Sequence, residues 1–579
     1  MPLPVDWLAP TELRIGLGCM RLSTDPDRDL DRAHATIAAA VEAGITVFDT
    51  ARAYGHGQGE LGHNERLLAA ALRRCRAAQT ARIITKGGMT REGAAWRTDG
   101  RAKAIRDDCE ASLQALDGLP IDTYLLHAPD PRTPWATSVR ALAALVDGGL
   151  VARVGVCNVN RRQLDEALEL APIDAVQVGL SVPDDRAVRG GIVERCAQRG
   201  ISVIAHSPLG GVRRARSLAR HGALAQIAAR HGVRPAEVAL AWLLSLSPTV
   251  IAIPGARHPA TARGAARAAT LSLTQDDREE LGPRPTAGPG RTTGRAEVVM
   301  VMGIPGAGKS RVAAGYVNRG YDRLNRDERG GSLLEIAHAL EDRLATRAPR
   351  VVLDNTYLTR VARSYVLEAA ARHGAPVRCV WLNTPLAQAQ VNLVGRMIER
   401  FGTVPAPEEL RILARAHEGV MAPTSQMRAL RELEPPSPDE GFAAVEEVPF
   451  APAAGHAGPG GVIVAASALE RPGWEAAVAA ADPPAPHLVF DWRPGAPPDA
   501  LDDAAGRLRG VVGAAVQSAL CRHAAGPPRC WCRPPLPGLA LSFAAAHGLE
   551  PSRSIVIGSS PAHRTLANAL GARHIPVVA

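Results

Sequence analysis

Gly303 to Ser310 reads Gly-Ile-Pro-Gly-Ala-Gly-Lys-Ser. Gly303, Gly306 and Gly308 let successive backbone N–H groups turn toward one point, Lys309 adds a mobile cation, and the Ser310 hydroxyl can ligate Mg²⁺. Such a cradle suits a polyphosphate, so the spacing predicts a nucleoside triphosphate site, ATP with Mg²⁺. A second set is Asp49, Tyr54, Lys86 and His127. A phenol is a poor acid at neutral pH unless a cation lowers its pKa; a lysine held by a carboxylate can do this, and a histidine can orient a carbonyl. A third set is Cys521, His523, Cys530 and Cys532, spaced C-x-H-x₆-C-x-C. Four soft ligands so close together suit a closed tetrahedral Zn²⁺ site.

The elements that must position these residues are legible around them. Glu297–Met302 is an apolar run short enough for a buried strand, and a helical pattern starts at Arg311, so the glycine loop joins strand to helix. In the first half of the chain, strand-like runs recur at 46–48, 82–85, 123–126, 151–156, 175–178, 202–205 and 250–253, with amphipathic stretches between them. Seven or eight β–α units over ~250 residues predict a (β/α)₈ barrel, whose site collects at the C-terminal ends of the strands. Asp49 follows Val47-Phe48, Lys86 ends Ile83-Ile84-Thr85, His127 ends Tyr124-Leu125-Leu126, and Tyr54 lies just past Asp49. Each alone reads as a capping or hydrogen-bonded residue; four at strand ends read as a site.

The middle of the chain predicts a parallel α/β sheet. Asn325-Arg326-Asp327 follows a short second strand, Asp354 and Asn355 end the run Val351–Leu353, and a strand at 376–382 precedes a helix with Asn392, Arg396 and Arg400. Parallel strands bring these ends beside the glycine loop. Asp327 can then accept the proton of an attacking hydroxyl, and Arg396 can stabilise charge on the transferred phosphoryl group as its helix closes. Alone, Asp327 reads equally well as a helix cap and Arg396 as a solvated face.

At 579 residues the chain exceeds one core. Gly/Pro-rich stretches divide it into a barrel at 1–282, a linker at 283–295, a P-loop domain at 296–450, a linker at 451–461 and a third α/β domain at 462–579. The net charge of +9 is mild for this length and compatible with an anionic substrate without demanding nucleic acid. Nothing reads as a membrane span or a leader, and nine scattered cysteines point to reduced thiols and a cytoplasmic location.

The strings FDTARAYGHGQGELGHNERLLAAAL, ITKGG, DTYLLHAPD, VARVGVCNVN, AHSPLGG and AIPGARHP make residues 11–282 resemble the aldo-keto reductase family. The resemblance implies NADPH or NADH bound without a Rossmann domain, and hydride transfer to an aldehyde or ketone. Tyr54 would be the proton donor, Lys86 and Asp49 would tune it, and His127 would position the carbonyl. It further implies that Asn158 and Gln177 hold the nicotinamide carboxamide, that Ser207, Leu209 and Gly210 form the pyrophosphate loop, and that Gly255 and Arg257 meet the adenosine-phosphate end. The chain departs from the family at Leu180, where a ring usually stacks on the nicotinamide, and at Ala265, where an Asn usually contacts adenine. A lost stack is worth about 1 kcal/mol.

GIPGAGKS, NRD, DNT with Arg363, PLAQAQVNLVGR and EPPSPDEGFAAVEEVPF resemble the kinase module of the polynucleotide kinase family. The resemblance implies γ-phosphate transfer to a 5′-hydroxyl of DNA or RNA, with Lys309 and Ser310 at the phosphates and Mg²⁺, Asp327 as general base, Arg396 as lid arginine, and Asp354, Asn355 and Arg363 lining the acceptor side. Gly330 stands where some members carry an arginine. Finally, CRHAAGPPRCWCRPPLPGL and SRSIVIGSSPAHRTLANALGARHIP resemble the zinc-loop haloacid dehalogenase-like phosphatases. The carboxylate nucleophile that aspartyl-phosphate chemistry needs is absent from Val464–Ala468, Pro534 stands for the lysine, and Ser559 and His563 stand where metal-binding acids belong. The expectation is a retired phosphatase fold with His563 on its surface.

The favoured reading is therefore a fusion enzyme combining carbonyl reduction with 5′-hydroxyl phosphorylation, linked by end repair through a sugar aldehyde. The alternatives are a kinase for a small-molecule alcohol, and a barrel that senses NADP(H) without turnover.

Overall fold

The computed structural model describes residues 7–282 apart from 58, 94, 212–214 and 216–217, residues 296–450 apart from 347, 348 and 418, and residues 458–577. The 283–295 linker and most of the 451–461 linker lie outside the described residues. The chain divides into two compact units, Met1–Pro285 and Thr286–Ala579.

In the first unit, strands β1 (Gly16–Gly18), β2 (Val47–Asp49), β3 (Arg82–Gly87), β6 (Thr123–Leu126), β7 (Arg153–Cys157), β8 (Ile173–Gly179), β9 (Ser202–His206) and β10 (Val250–Ala252) pair in that order, all parallel. A bridge between Ile15 and Ala252 joins the last strand back to the first. The eighth strand, β1, was absent from the expected runs because three residues, Gly-Leu-Gly, show no periodicity. Val47, Ile84, Leu125, Cys157, Ala175, Ile204 and Ile251 fill the barrel interior, and Trp7 packs into the same cluster. A hairpin that the sequence reading did not anticipate, β4 (Met89–Glu92) with β5 (Ala95–Thr98), follows β3 directly.

The second unit holds two parallel sheets. The first runs β12 (Asp322–Leu324), β13 (Arg350–Asp354), β11 (Glu297–Met302), β14 (Val377–Asn383), β15 (Ala444–Pro449). The second runs β18 (Val516–Cys521), β17 (His487–Trp492), β16 (Val462–Ala465), β19 (Ile555–Gly558), β20 (Arg573–Pro576). Each reverses strand order beside its first strand, the switch point at which open α/β sheets bind ligands. The two sheets are not independent bodies. Leu393, Val394, Met397 and Ile398 of the helix Leu386–Phe401 bury into one apolar cluster with Val464, Phe490, Trp531, Phe543 and Leu566. That helix, expected as a lid that closes, is fixed between the sheets. No helix among the described residues is long and apolar enough to cross a membrane.

Candidate functional sites

Parallel pairing brings the ends of β2, β3, β6, β7, β8 and β9 to one rim, and the expected tetrad assembles there. Lys86 Nζ is fully buried and donates to both oxygens of Asp49 at 2.8 Å, to the Thr50 carbonyl at 2.7 Å and to Tyr54 Oη at 3.2 Å. Burial opposes the Lys86 charge, but the Asp49 carboxylate outweighs it and raises the ammonium pKa. For Tyr54 the balance runs against expectation: burial pushes the phenol up to about 12, although Lys86 pulls it down. It is therefore fully protonated at neutral pH. The His127 ring meets Tyr54 edge to face with centroids 5.6 Å apart, and its Nδ1 is buried without a partner. Burial, with the nearby charges of Lys86 and His206, holds its pKa well below the usual histidine range, so the imidazole is neutral.

Gln177 donates to Asp49 Oδ2 at 2.7 Å, and Asn158 donates to the His127 carbonyl at 3.2 Å. Asn158 (φ 56°) and Ser207 (φ 51°) both adopt the left-handed region immediately after barrel strands, a strain that clusters at binding sites. Ser207 to Gly210 closes a turn, with the Gly210 N–H on the Ser207 carbonyl at 2.8 Å, and Leu209 is half-buried beside it. Arg257, after Gly255, is already paired with Asp25 at 2.8 Å and Asp27 at 2.7 Å. Leu180 and Ala265 are core residues, 1% and 5% exposed. A residue the sequence reading did not single out, His206, also reaches this rim, its Nε2 3.0 Å from Asn158 Oδ1. Its position at the end of β9 was the signal that could have found it. Trp96 of the hairpin lies 6.1 Å, centroid to centroid, from both Tyr54 and His127, and the Arg91 guanidinium stacks 4.2 Å over it.

In the second unit, Gly303, Gly306 and Gly308 have φ of 152°, 87° and 95°. A Cβ on Gly306 would sit 2.2 Å from the Ala389 carbonyl, so the loop can pass there only as glycine. Asn392 donates to Gly306 O at 2.8 Å and Gln426 to Pro305 O at 2.8 Å. Lys309 Nζ donates to the Gly303 and Ile304 carbonyls, and burial lowers its pKa to about 8. A depressed lysine at the start of a helix is what a polyphosphate would relieve. Ser310, Asp327 and Arg396 line one cleft of about 410 Å³, with Arg323, Glu328, Glu399 and Arg400. Asp327 is exposed in the short helix Arg326–Arg329; the cap of that helix is Asn325, whose Oδ1 accepts from the Asp327 and Glu328 N–H groups.

The expected acceptor residues fare differently. Asp354 is buried and paired with Arg323. Asn355 accepts the Arg326 N–H at 2.8 Å and donates to Tyr357 Oη at 3.1 Å, so it anchors the loop carrying Asp327. Arg363 does not line an acceptor site. It is wholly enclosed, bonded bidentately to Glu440 and to the carbonyls of Tyr357 and Glu434. Its partner Glu440 lies in the 434–450 string, so enclosing Arg363 is the part that Glu440 plays there.

The ligand atoms of Cys521, His523, Cys530 and Cys532 lie within 4.8 Å of one another. The sulfur–sulfur separations of 3.4 and 3.7 Å and the sulfur–nitrogen separations of 3.2 and 3.5 Å match the edges of a tetrahedron, about 3.7 Å for Zn–S bonds of about 2.3 Å. Among the described residues no cysteine forms a disulfide. His563, expected on the surface, is buried. Its Nδ1 accepts the Ser559 N–H at 3.1 Å and its ring meets Phe490 edge to face. Ser467 and Ser559 hydroxyls, 2.9 Å apart, occupy the sheet edge near it.

A barrel with this buried Tyr–Lys–Asp–His rim has the architecture of an oxidoreductase. Residues 14–282 match the model of the aldo/keto reductase family, and the chain belongs to that family through them. It is 29% identical over 298 residues to probable aldo-keto reductase 1 of Glycine max, covering 46% of this chain and 84% of that one. It is 30% identical over 248 residues to an uncharacterised oxidoreductase of Schizosaccharomyces pombe, covering 42% and 76%. Among solved structures, it is similar to the thermostable aldo-keto reductase Tm1743 (29% identity, 46% and 93% coverage, TM-score 0.40) and to an aldo-keto reductase of Klebsiella pneumoniae in complex with NADPH (25%, 46% and 89%, 0.40). Residues 298–417 match an AAA domain model.

Proposed function

We propose that the protein carries two activities: NAD(P)H-dependent reduction of an aldehyde or ketone in the barrel, and transfer of the ATP γ-phosphate to an alcohol in the second unit. For the reductase, the nicotinamide cofactor supplies the hydride. Tyr54 Oη gives its proton to the carbonyl oxygen, Lys86 holds the hydroxyl and stabilises the phenolate left behind, Asp49 keeps Lys86 charged and in place, and neutral His127 orients the carbonyl. Asn158, Gln177, Ser207, Leu209, Gly210 and Gly255 would hold the cofactor. Arg257 would meet its adenosine end in competition with Asp25 and Asp27. Arg91 and Trp96 make a cationic, flat lip over the site, suited to a carbonyl compound with an anionic end, such as a phosphate-bearing sugar aldehyde.

The observation that carries the second activity is the shared cleft of Ser310, Asp327 and Arg396. Asp327 would take the proton of the attacking hydroxyl, and Arg396 would offset charge on the transferred group. Ser310 would hold Mg²⁺. The acceptor we assign by motif is a 5′-hydroxyl of DNA or RNA. A small-molecule alcohol is the second reading, favoured by one observation: the three arginines lining the cleft, Arg323, Arg396 and Arg400, are balanced by Asp327, Glu328 and Glu399. We further infer that the last sheet is a phosphatase-like fold without its nucleophile, and that Zn²⁺ on Cys521, His523, Cys530 and Cys532 fixes its loop.

The test is γ-phosphate transfer to 5′-hydroxyl DNA, RNA and a panel of small alcohols, with wild type and Asp327→Asn. Loss of about 10²–10⁴ in kcat without loss of nucleotide affinity is expected. Equal transfer by the two proteins would remove Asp327 as the base, and transfer only to small alcohols would decide for the second reading.

A further inference from the structure

The cleft is lined by residues between 310 and 420, and the C-terminal sheet packs behind that wall. Trp531 stands between two of the sulfur ligands, Cys530 and Cys532, and is fully buried. Its indole Nε1 donates to the Met421 carbonyl at 2.8 Å. Met421 follows Gly419 and Val420, both of which line the cleft. Gly419 lines the cleft beside Arg396, where a Cβ added to it would reach the guanidinium at an ordinary contact distance of 3.6 Å. His417, at the start of the same segment, lies 3.0 Å from Arg400 Nη2 and packs on Phe401. At its other end the segment enters the helix Pro423–Glu432, where buried Gln426 holds the Pro305 carbonyl of the glycine loop.

A second tie reaches the opposite end of the arginine-bearing helix, where Gln388 donates to the Ala569 carbonyl at 3.0 Å. That helix also holds the glycine loop through Asn392. The helix with Arg396 is thus braced from the C-terminal region, at Ala569 of the helix Pro561–Leu570 and through the apolar cluster that includes Trp531.

We propose that Trp531, presented by the Cys521–His523–Cys530–Cys532 loop, is a positioning residue for Arg396, so that the C-terminal region acts as a structural part of the phosphoryl-transfer site. It does so by fixing Gly419–Met421, the stretch of wall that Arg396 shares in the cleft. Removing its N–H leaves the half-buried Met421 carbonyl short of a partner and frees the segment that stands beside Arg396. Binding of the nucleotide to the glycine loop depends on backbone N–H groups elsewhere, so the effect falls on turnover more than on affinity. This rests on the phosphoryl-transfer reading of the cleft.

The experiment compares the full chain with Trp531→Phe, which fills the same space, by two readouts. In hydrogen exchange, the Gly419–Met421 amides of the variant exchange about tenfold faster, as loss of one hydrogen bond implies, while barrel amides are unchanged. Zinc removal from the wild type by a chelator accelerates the same amides. In phosphate transfer, kcat falls about tenfold, nucleotide KM shifts less than threefold, and the change vanishes in an Arg396→Ala background, because both substitutions act through one group. Unchanged exchange at Gly419–Met421 overturns the proposal, as does an equal kcat loss with and without Arg396. If the wild type phosphorylates no acceptor, the phosphoryl-transfer reading fails, and the exchange data still decide whether Trp531 holds the wall.

Discussion

Arg363 and Glu440 form a bidentate ion pair, with nitrogen–oxygen distances of 2.7 and 2.8 Å and side-chain exposures of 0% and 2%. It ties the helix Arg360–Arg372 to the segment that precedes β15. Breaking a buried pair strands the remaining charge, a cost of about 3–5 kcal/mol. Arg363→Met should therefore destabilise the second unit by that amount in denaturant titration. Any folded fraction should keep the KM for the acceptor. A raised acceptor KM at full stability would restore Arg363 to the acceptor side.

Tyr54→Phe removes the proposed proton donor while leaving the Lys86–Asp49 pair at 2.8 Å intact. Carbonyl reduction should fall by about 10²–10⁴ in kcat. Cofactor binding, followed by fluorescence titration of NADPH and NADH, should be unchanged. A barrel that only senses the cofactor would lose nothing.

The Lys309 ammonium, held down to about 8 by burial, is charged below that pH and neutral above it. A polyphosphate prefers the charged form, so nucleotide affinity should be level at lower pH and weaken as pH rises through 8. The folded pKa lies below the ordinary lysine value, so the unfolded chain binds more protons between the two. Lys309 should therefore make unfolding free energy rise with pH across that window. Isothermal titration from pH 6.5 to 9.5 checks the affinity; Lys309→Arg, charged throughout, should flatten the profile.

Arg91 stacks on Trp96 at 4.2 Å, and its Nε is buried without a hydrogen-bond partner. Arg91→Leu should raise KM about tenfold for aldehydes bearing a carboxylate or phosphate and leave neutral aldehydes within twofold, the change expected for one charge-assisted hydrogen bond. Equal effects on both classes would remove Arg91 from substrate selection.

Local chemistry was legible along the chain. The glycine spacing before Lys309 can satisfy only a few backbone arrangements, and Asp49, Lys86 and His127 announce themselves because a parallel barrel puts every strand end on one rim. The C-x-H-x₆-C-x-C cluster is likewise a matter of short reach, in which four ligands so close in sequence need only a turn to converge. What sequence separation conceals is which partner a charge will find. Arg363 reads as a binding arginine until Glu440, far along the chain, encloses it. His563 reads as a surface residue until Phe490 covers it. The Arg396 helix reads as a free lid until a second sheet packs against its other face. Burial and long-range pairing follow from packing all the layers at once, and the same packing sets whether burial or Lys86 wins at Tyr54. Residue type and spacing name the chemistry available; only the tertiary structure decides which groups remain free to perform it.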